Sequence, residues 1–167
     1  MSAPKNGCCY DVCLMTNLEI AQVFLQIAKI LELQNENPFR IRAYLRAAEL
    51  LESLSREAHN IYDELGLKGL MGLPGIGEDL ALKIEEMHKT HTLSYLQKLQ
   101  KKVPAGVLKI MEIEGMGPKK TKLLWQKFKI QDVPDLEKLL KSGKVTTLKG
   151  WGEKSVANIL QGIETKK

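Results

Sequence analysis

The 167 residues hold no apolar run longer than a few residues, far short of the roughly 20 that a helix needs to cross a bilayer. The start also lacks the apolar stretch of a secretory signal. No membrane partner is expected, and the expected location is the cytoplasm, in association with the nucleoid. Cysteine is confined to Cys8, Cys9 and Cys13, with no histidine nearby to complete a four-ligand zinc site. Residues 1–14 therefore read as a disordered, cysteine-containing tail, and Met15 is a second candidate for the start of translation. Aspartate is limited to Asp11, Asp63, Asp79, Asp132 and Asp135, and no two form the Asp-x-Asp pair used in two-metal nucleotidyl transfer. No stretch alternates apolar and polar residues as a strand would. The expected fold class is all-α.

What is present is helical periodicity. With 44% hydrophobic and 27% charged residues, the chain can bury one or two small cores. Thr16-Asn17-Leu18-Glu19 reads as a capping box that opens a first helix, and Ile20, Val23, Phe24, Ile27 and Leu31 form its apolar stripe. Asn37-Pro38 is an N-cap followed by proline at the first helical position, which launches a second helix to about Leu54. Its inward residues are expected to be Ala43, Ala47, Leu50, Leu51 and Leu54, leaving Arg40, Arg42, Tyr44 and Arg46 on its other faces. A shorter helix is expected from about Arg56 to Leu65.

Charge divides the chain. Residues 15–97 hold 8 Lys/Arg against 12 Asp/Glu, whereas residues 98–167 hold 16 Lys against 7 Asp/Glu, giving −4 and +9. A polyanionic partner would be held mainly by the second part.

One short pattern recurs three times: Leu-Pro-Gly-Ile-Gly at 73–77, Ile-Glu-Gly-Met-Gly at 113–117 and Leu-Lys-Gly-Trp-Gly at 148–152. Each lies between apolar helical stretches, the following ones carrying Leu80, Ala81, Ile84 and Met87, then Leu123, Leu124 and Phe128, then Val156, Ile159 and Leu160. The repeating unit is helix, tight hairpin, helix. Glycines let a ligand approach the backbone without meeting a Cβ, and the helix that follows offers unpaired N–H groups and the positive end of its dipole. A single phosphate contact of this kind is weak and sequence-blind, so a protein relying on it needs several. Gly75, Gly77, Gly115, Gly117, Gly150 and Gly152 are thus candidate contacts to a nucleic-acid backbone. Lys119, Lys120 and Lys122 reinforce the second turn, and Lys149 and Lys154 flank the third. Glu78 and Asp79 follow the first, which should be the weakest of the three.

From Met15 to about Glu164 the chain resembles the N-terminal part of bacterial family X DNA polymerases. The resemblance rests on Glu36-Asn37-Pro38-Phe39-Arg40-Ile41-Arg42-Ala43-Tyr44, on Leu73-Pro74-Gly75-Ile76-Gly77 with Lys83-Ile84-Glu85-Glu86, on Gly115-Met116-Gly117-Pro118-Lys119-Lys120 and on Gly150-Trp151-Gly152-Glu153-Lys154. It implies a lyase-like helical domain followed by a fingers-like domain, both holding DNA by helix-hairpin-helix motifs. It also implies two K+ or Na+ sites built from backbone carbonyls, of Met71, Leu73 and Ile76 and of Met111, Ile113 and Met116. No other cofactor is expected. The catalytic palm of the family would follow residue 167, and the family's histidine-rich phosphoesterase domain has no counterpart among His59, His88 and His91.

The same resemblance carries an enzymatic alternative. Removal of a 5′-deoxyribose phosphate uses an amine that forms a Schiff base with the sugar aldehyde, and the family's nucleophile falls on Lys83, with Tyr44 in its pocket and Arg40 as a phosphate contact. Relatives with that activity carry a lysine four residues before the nucleophile, where this chain has Asp79. An aspartate there repels the 5′-phosphate and pairs with Lys83 at i, i+4, favouring the ammonium over the neutral amine.

The reading is therefore a tail (1–14), a lyase-like helical domain (15–97) and a fingers-like domain (98–167). They would form a module that binds duplex, gapped or nicked DNA in repair, without sequence preference. Two alternatives stand beside it: a lyase acting through Lys83, and a piece of a family X polymerase that works with a palm-containing partner.

Overall fold

The computed structural model describes residues 14–167, so the expected tail and all three cysteines lie outside the described residues. Nine α-helices follow one another among those residues, with no strand between them: α1 (Asn17–Leu33), α2 (Pro38–Ser53), α3 (Ala58–Met71), α4 (Glu78–Thr90), α5 (Ser94–Lys102), α6 (Ala105–Met111), α7 (Pro118–Phe128), α8 (Val133–Lys141) and α9 (Glu153–Thr165). A short 3-10 helix, Lys144–Thr147, lies between the last two.

Two compact units emerge. One contains the described residues up to Phe24 together with Arg46–Leu93, and the other Leu25–Leu45 together with Ser94–Lys167. A single boundary near residue 98 was expected. The division instead also falls inside α1 and α2.

In the first unit, the capping box forms as its sequence implies: the Thr16 N–H donates to Glu19 Oε2 at 2.7 Å and the Glu19 N–H to Thr16 Oγ1 at 3.2 Å. Asn17 does more than its place in that box suggests. It is buried, its Nδ2 donates to the Arg56 carbonyl at 2.9 Å, and its Oδ1 accepts from the Ala58 N–H at 2.7 Å. Its own N–H donates to Glu57 Oε2 at 2.7 Å. The start of α3 is therefore capped by a side chain 41 residues away, which satisfies an N–H that the helix itself leaves unpaired. Within α3 the helix breaks just after the expected end at Leu65, at Gly66 with φ 66, ψ −157, and a further helical stretch follows to Met71; this conformation is essentially reserved for glycine. Leu80, Ala81, Ile84 and Met87 of α4 are all buried, as the period of its apolar residues requires.

The second unit is built around Ile110, Ile113, Met116, Leu124, Ile130, Leu136, Leu140, Val145, Trp151, Val156, Ile159 and Ile163. Helix α8 starts at a clear cap: Asp132 Oδ1 accepts from the Asp135 N–H at 2.9 Å, and Asp135 Oδ2 accepts from the Gln131 N–H at 3.2 Å. Gly106 is glycine for packing, since a Cβ there would lie 2.1 Å from the Gln131 carbonyl oxygen. On α7, Leu124 is buried while Leu123 is exposed. One expectation fails. Tyr44, expected on an outer face of α2, is 1% exposed. Its ring stacks with Tyr95 at 6.3 Å between centroids, a partner that α5 supplies and the α2 sequence could not announce.

Candidate nucleic-acid interface

The three hairpins share one backbone geometry. The Ile76 N–H donates to the Leu73 carbonyl at 3.1 Å, Met116 to Ile113 at 2.9 Å and Trp151 to Leu148 at 3.1 Å. The third residue of each turn is Gly75, Gly115 or Gly150, at φ 82, 86 and 86. This is the type II arrangement, which demands glycine at that position; Pro74 occupies the favoured place before it. The residue after each of these glycines is an apolar anchor, with Ile76, Met116 and Trp151 only 3%, 5% and 2% exposed.

The second glycine of each turn has a different reason to be there. Gly77, Gly117 and Gly152 cap α4, α7 and α9 in extended conformations, with φ of −85, −115 and −70. Any residue can adopt these values. A Cβ built at each would meet no described atom within 4 Å, and no side chain caps any of the three helices. Neither strain nor internal packing asks for glycine. Its effect is to leave the first-turn N–H groups open to an approaching acceptor.

Electrostatics separates the turns. Helix α4 opens on Glu78 and Asp79, whereas α7 opens on Pro118, Lys119 and Lys120. Lys119, Lys149 and Lys154 are exposed and Lys122 is half-buried, and none of the four forms an ion pair among the described residues. Lys120 lies over the Trp151 ring at 5.2 Å. That contact links the start of α7 to the third hairpin.

The residues of the enzymatic alternative fall in both units. Lys83 belongs to the first unit and Arg40 and Tyr44 to the second. Lys83 Nζ donates to Asp79 Oδ1 at 2.6 Å, with the lysine side chain only 12% exposed. The ion pair anticipated from the spacing is therefore formed. Arg40 lies over the Tyr95 ring at 5.3 Å, and Tyr95 is a member of this group that the sequence did not single out. His88 meets Asp63 at 3.1 Å and stacks with His59 at 6.4 Å; His91 ends α4 in the left-handed region, at φ 57.

The carbonyls expected to hold a monovalent cation follow the same pattern in the first two hairpins. Leu73 and Ile113 each accept the turn bond, while Met71, Ile76, Met111 and Met116 accept no loop backbone hydrogen bond among the described residues. Each set groups backbone oxygens close together in sequence, the donor type that suits a hard cation.

This turn, recurring between helices, defines a helix-hairpin-helix protein, and residues 15–93 match the family described as a helix-hairpin-helix domain. Over 149 residues the chain is 32% identical to the DNA polymerase/3'-5' exonuclease PolX of Bacillus subtilis (strain 168), covering 89% of the chain and 25% of that protein. The chain thus resembles the N-terminal helix-hairpin-helix region of a family X polymerase. Shorter similarities reach DNA ligases: 43% identity over 53 residues for that of Limosilactobacillus fermentum and 44% over 59 residues for that of Cytophaga hutchinsonii. These cover 32% and 35% of the chain. The chain spans a quarter of the polymerase and 8% and 9% of the two ligases.

Proposed function

We propose that this chain binds DNA through its sugar-phosphate backbone, without sequence preference and in the service of repair. The second and third hairpins supply most of the affinity. The observation that carries this reading is the second glycine of each turn, which the fold does not need and an external ligand would. A phosphate at such a helix start gains about 0.3 to 1 kcal/mol from the dipole when exposed, and Lys119, Lys122, Lys149 and Lys154 add charge-assisted contacts. In the same reading, K+ or Na+ on the carbonyls of Met71, Leu73 and Ile76, and of Met111, Ile113 and Met116, would add positive charge behind the first two turns. Both similarity to a polymerase and similarity to ligases support a role on DNA ends, gaps or nicks.

The test is alanine at Gly117 and Gly152. The φ values permit alanine and no internal atom opposes it, so thermal stability should be retained while duplex affinity falls about tenfold or more. Unchanged affinity would overturn the assignment. The enzymatic reading gains less support, because Lys83 Nζ donates to Asp79 Oδ1 at 2.6 Å, and an acidic side chain beside the nucleophile repels the 5′-phosphate of the substrate.

A further inference from the structure

Away from the hairpins, the second unit has a groove of about 310 Å³ lined by Phe128, Lys129, Ile130, Asp135, Lys138, Leu139 and Lys144. Its floor is apolar: Ile130 is buried, while Phe128 and Leu139 are half-buried against the core. Its cationic side chains, Lys129, Lys138 and Lys144, are exposed, and none enters an ion pair among the described residues. Lys127 lies 5.9 Å from the Phe128 ring centre and brings a fourth cation to the same place. The one acid of the lining, Asp135, already accepts from the Gln131 N–H at the start of α8. Lys141 and Lys167 of the same unit are paired with Glu137 at 2.7 and 3.0 Å. Those in the groove are not.

An aromatic ring at an apolar floor, surrounded by unpaired lysines, suits a ligand with a flat apolar face and more than one negative charge. We propose that this groove holds unpaired nucleotides of a DNA strand, one base resting on Phe128 and the flanking phosphates on Lys129, Lys138 and Lys144. Base-on-aromatic stacking and a lysine-lined path along the backbone are the two elements of single-strand binding that need no sequence readout. Lys144 also opens the 3-10 helix that leads to the third hairpin.

This proposal rests on the DNA-binding reading above, and its test separates the two. Binding is measured for a blunt duplex, for the same duplex carrying a ten-nucleotide single-stranded extension, and for the single strand alone. The proteins are wild type, a groove variant (Lys129→Asn, Lys138→Ala, Lys144→Ala), Phe128→Leu and Gly117→Ala/Gly152→Ala. Asparagine is chosen at 129 because that residue sits at φ 57, which asparagine tolerates. Wild type should bind the extended duplex about tenfold or more tightly than the blunt one, and both groove variants should lose most of that gain while keeping blunt-duplex affinity. The glycine variant should weaken on both duplexes. Equal wild-type affinity for the two duplexes, or a gain that survives both groove variants, would overturn the groove and leave the hairpins standing. Binding of extended duplex and single strand that Gly117→Ala/Gly152→Ala does not touch would overturn the hairpins instead. No binding of any of the three DNAs would overturn both.

Discussion

The two compact units carry opposite charge, and the contrast is greater in the folded chain than along the sequence. Counted by unit, the first holds 5 Lys/Arg against 10 Asp/Glu and the second 19 against 9, which gives −5 and +10 for residues 14–167. A linear division at residue 98 gives −4 and +9 because it leaves Lys29, Arg40 and Arg42, with Glu32 and Glu36, in the acidic part. The same turn geometry thus occurs in two opposite electrostatic settings. In the proposed reading, backbone shape would allow a phosphate at all three hairpins and charge would decide which of them gains by it.

Breaking the basic unit should have the largest effect. Alanine at Lys119, Lys120 and Lys154 together is expected to weaken duplex binding strongly at low salt. It should also reduce the slope of log affinity against log salt by about 2 to 3 units, at roughly 0.9 per phosphate lost. Because Lys120 lies over Trp151, a slope change nearer 2 would mean that its charge serves the link between the hairpins rather than a phosphate.

The acidic unit can be sharpened chemically. Borohydride treatment with DNA bearing an incised abasic site should give no covalent adduct with the wild-type protein. An adduct lost in Lys83→Ala would show that the first unit is a working lyase despite Asp79. Its architecture is tested by Asn17→Ala, which strands the Ala58 N–H and the Arg56 carbonyl and should cost about 1 to 3 kcal/mol of stability in denaturant unfolding. A cost below 0.5 kcal/mol, the scale of ordinary surface substitutions, would show that the staple is dispensable.

The smallest effect concerns one glutamate in each unit. Glu85 is held below its ordinary range by hydrogen bonds from Lys89 and then Tyr62, and Glu137 by those from Lys141 and then Lys167. A carboxylate with a depressed folded value contributes stability above its unfolded value and loses it as pH falls through the folded one. The melting temperature lost in Glu85→Gln or Glu137→Gln should therefore be small at pH 7 and vanish in acid below the ordinary glutamate range. A deficit that persists in acid would point to packing rather than charge.

Much of this molecule was legible because its signals are local. The glycine pairs, the Thr16–Glu19 box, the Asn37-Pro38 start and the Asp79–Lys83 spacing each specify structure within four or five residues, and each forms as read. What was hidden depends on distant partners. Asn17 caps a helix 41 residues away, Tyr44 is buried against Tyr95, and the groove at Phe128 exists only once α7, α8 and the 3-10 helix meet. Gly66 hid for another reason: its place looked like the end of a helix, and the chain resumes helix after one glycine-only conformation.

Hairpins of one backbone geometry should differ in the phosphate they hold, and salt-dependent duplex binding of Gly77→Ala beside Gly117→Ala/Gly152→Ala decides the point. All three sites accept alanine without internal conflict, so differences report the ligand. Gly77→Ala should change affinity less than threefold and leave the salt slope unaltered, against a tenfold or greater loss for the double variant. Equal losses per substituted hairpin would contradict it.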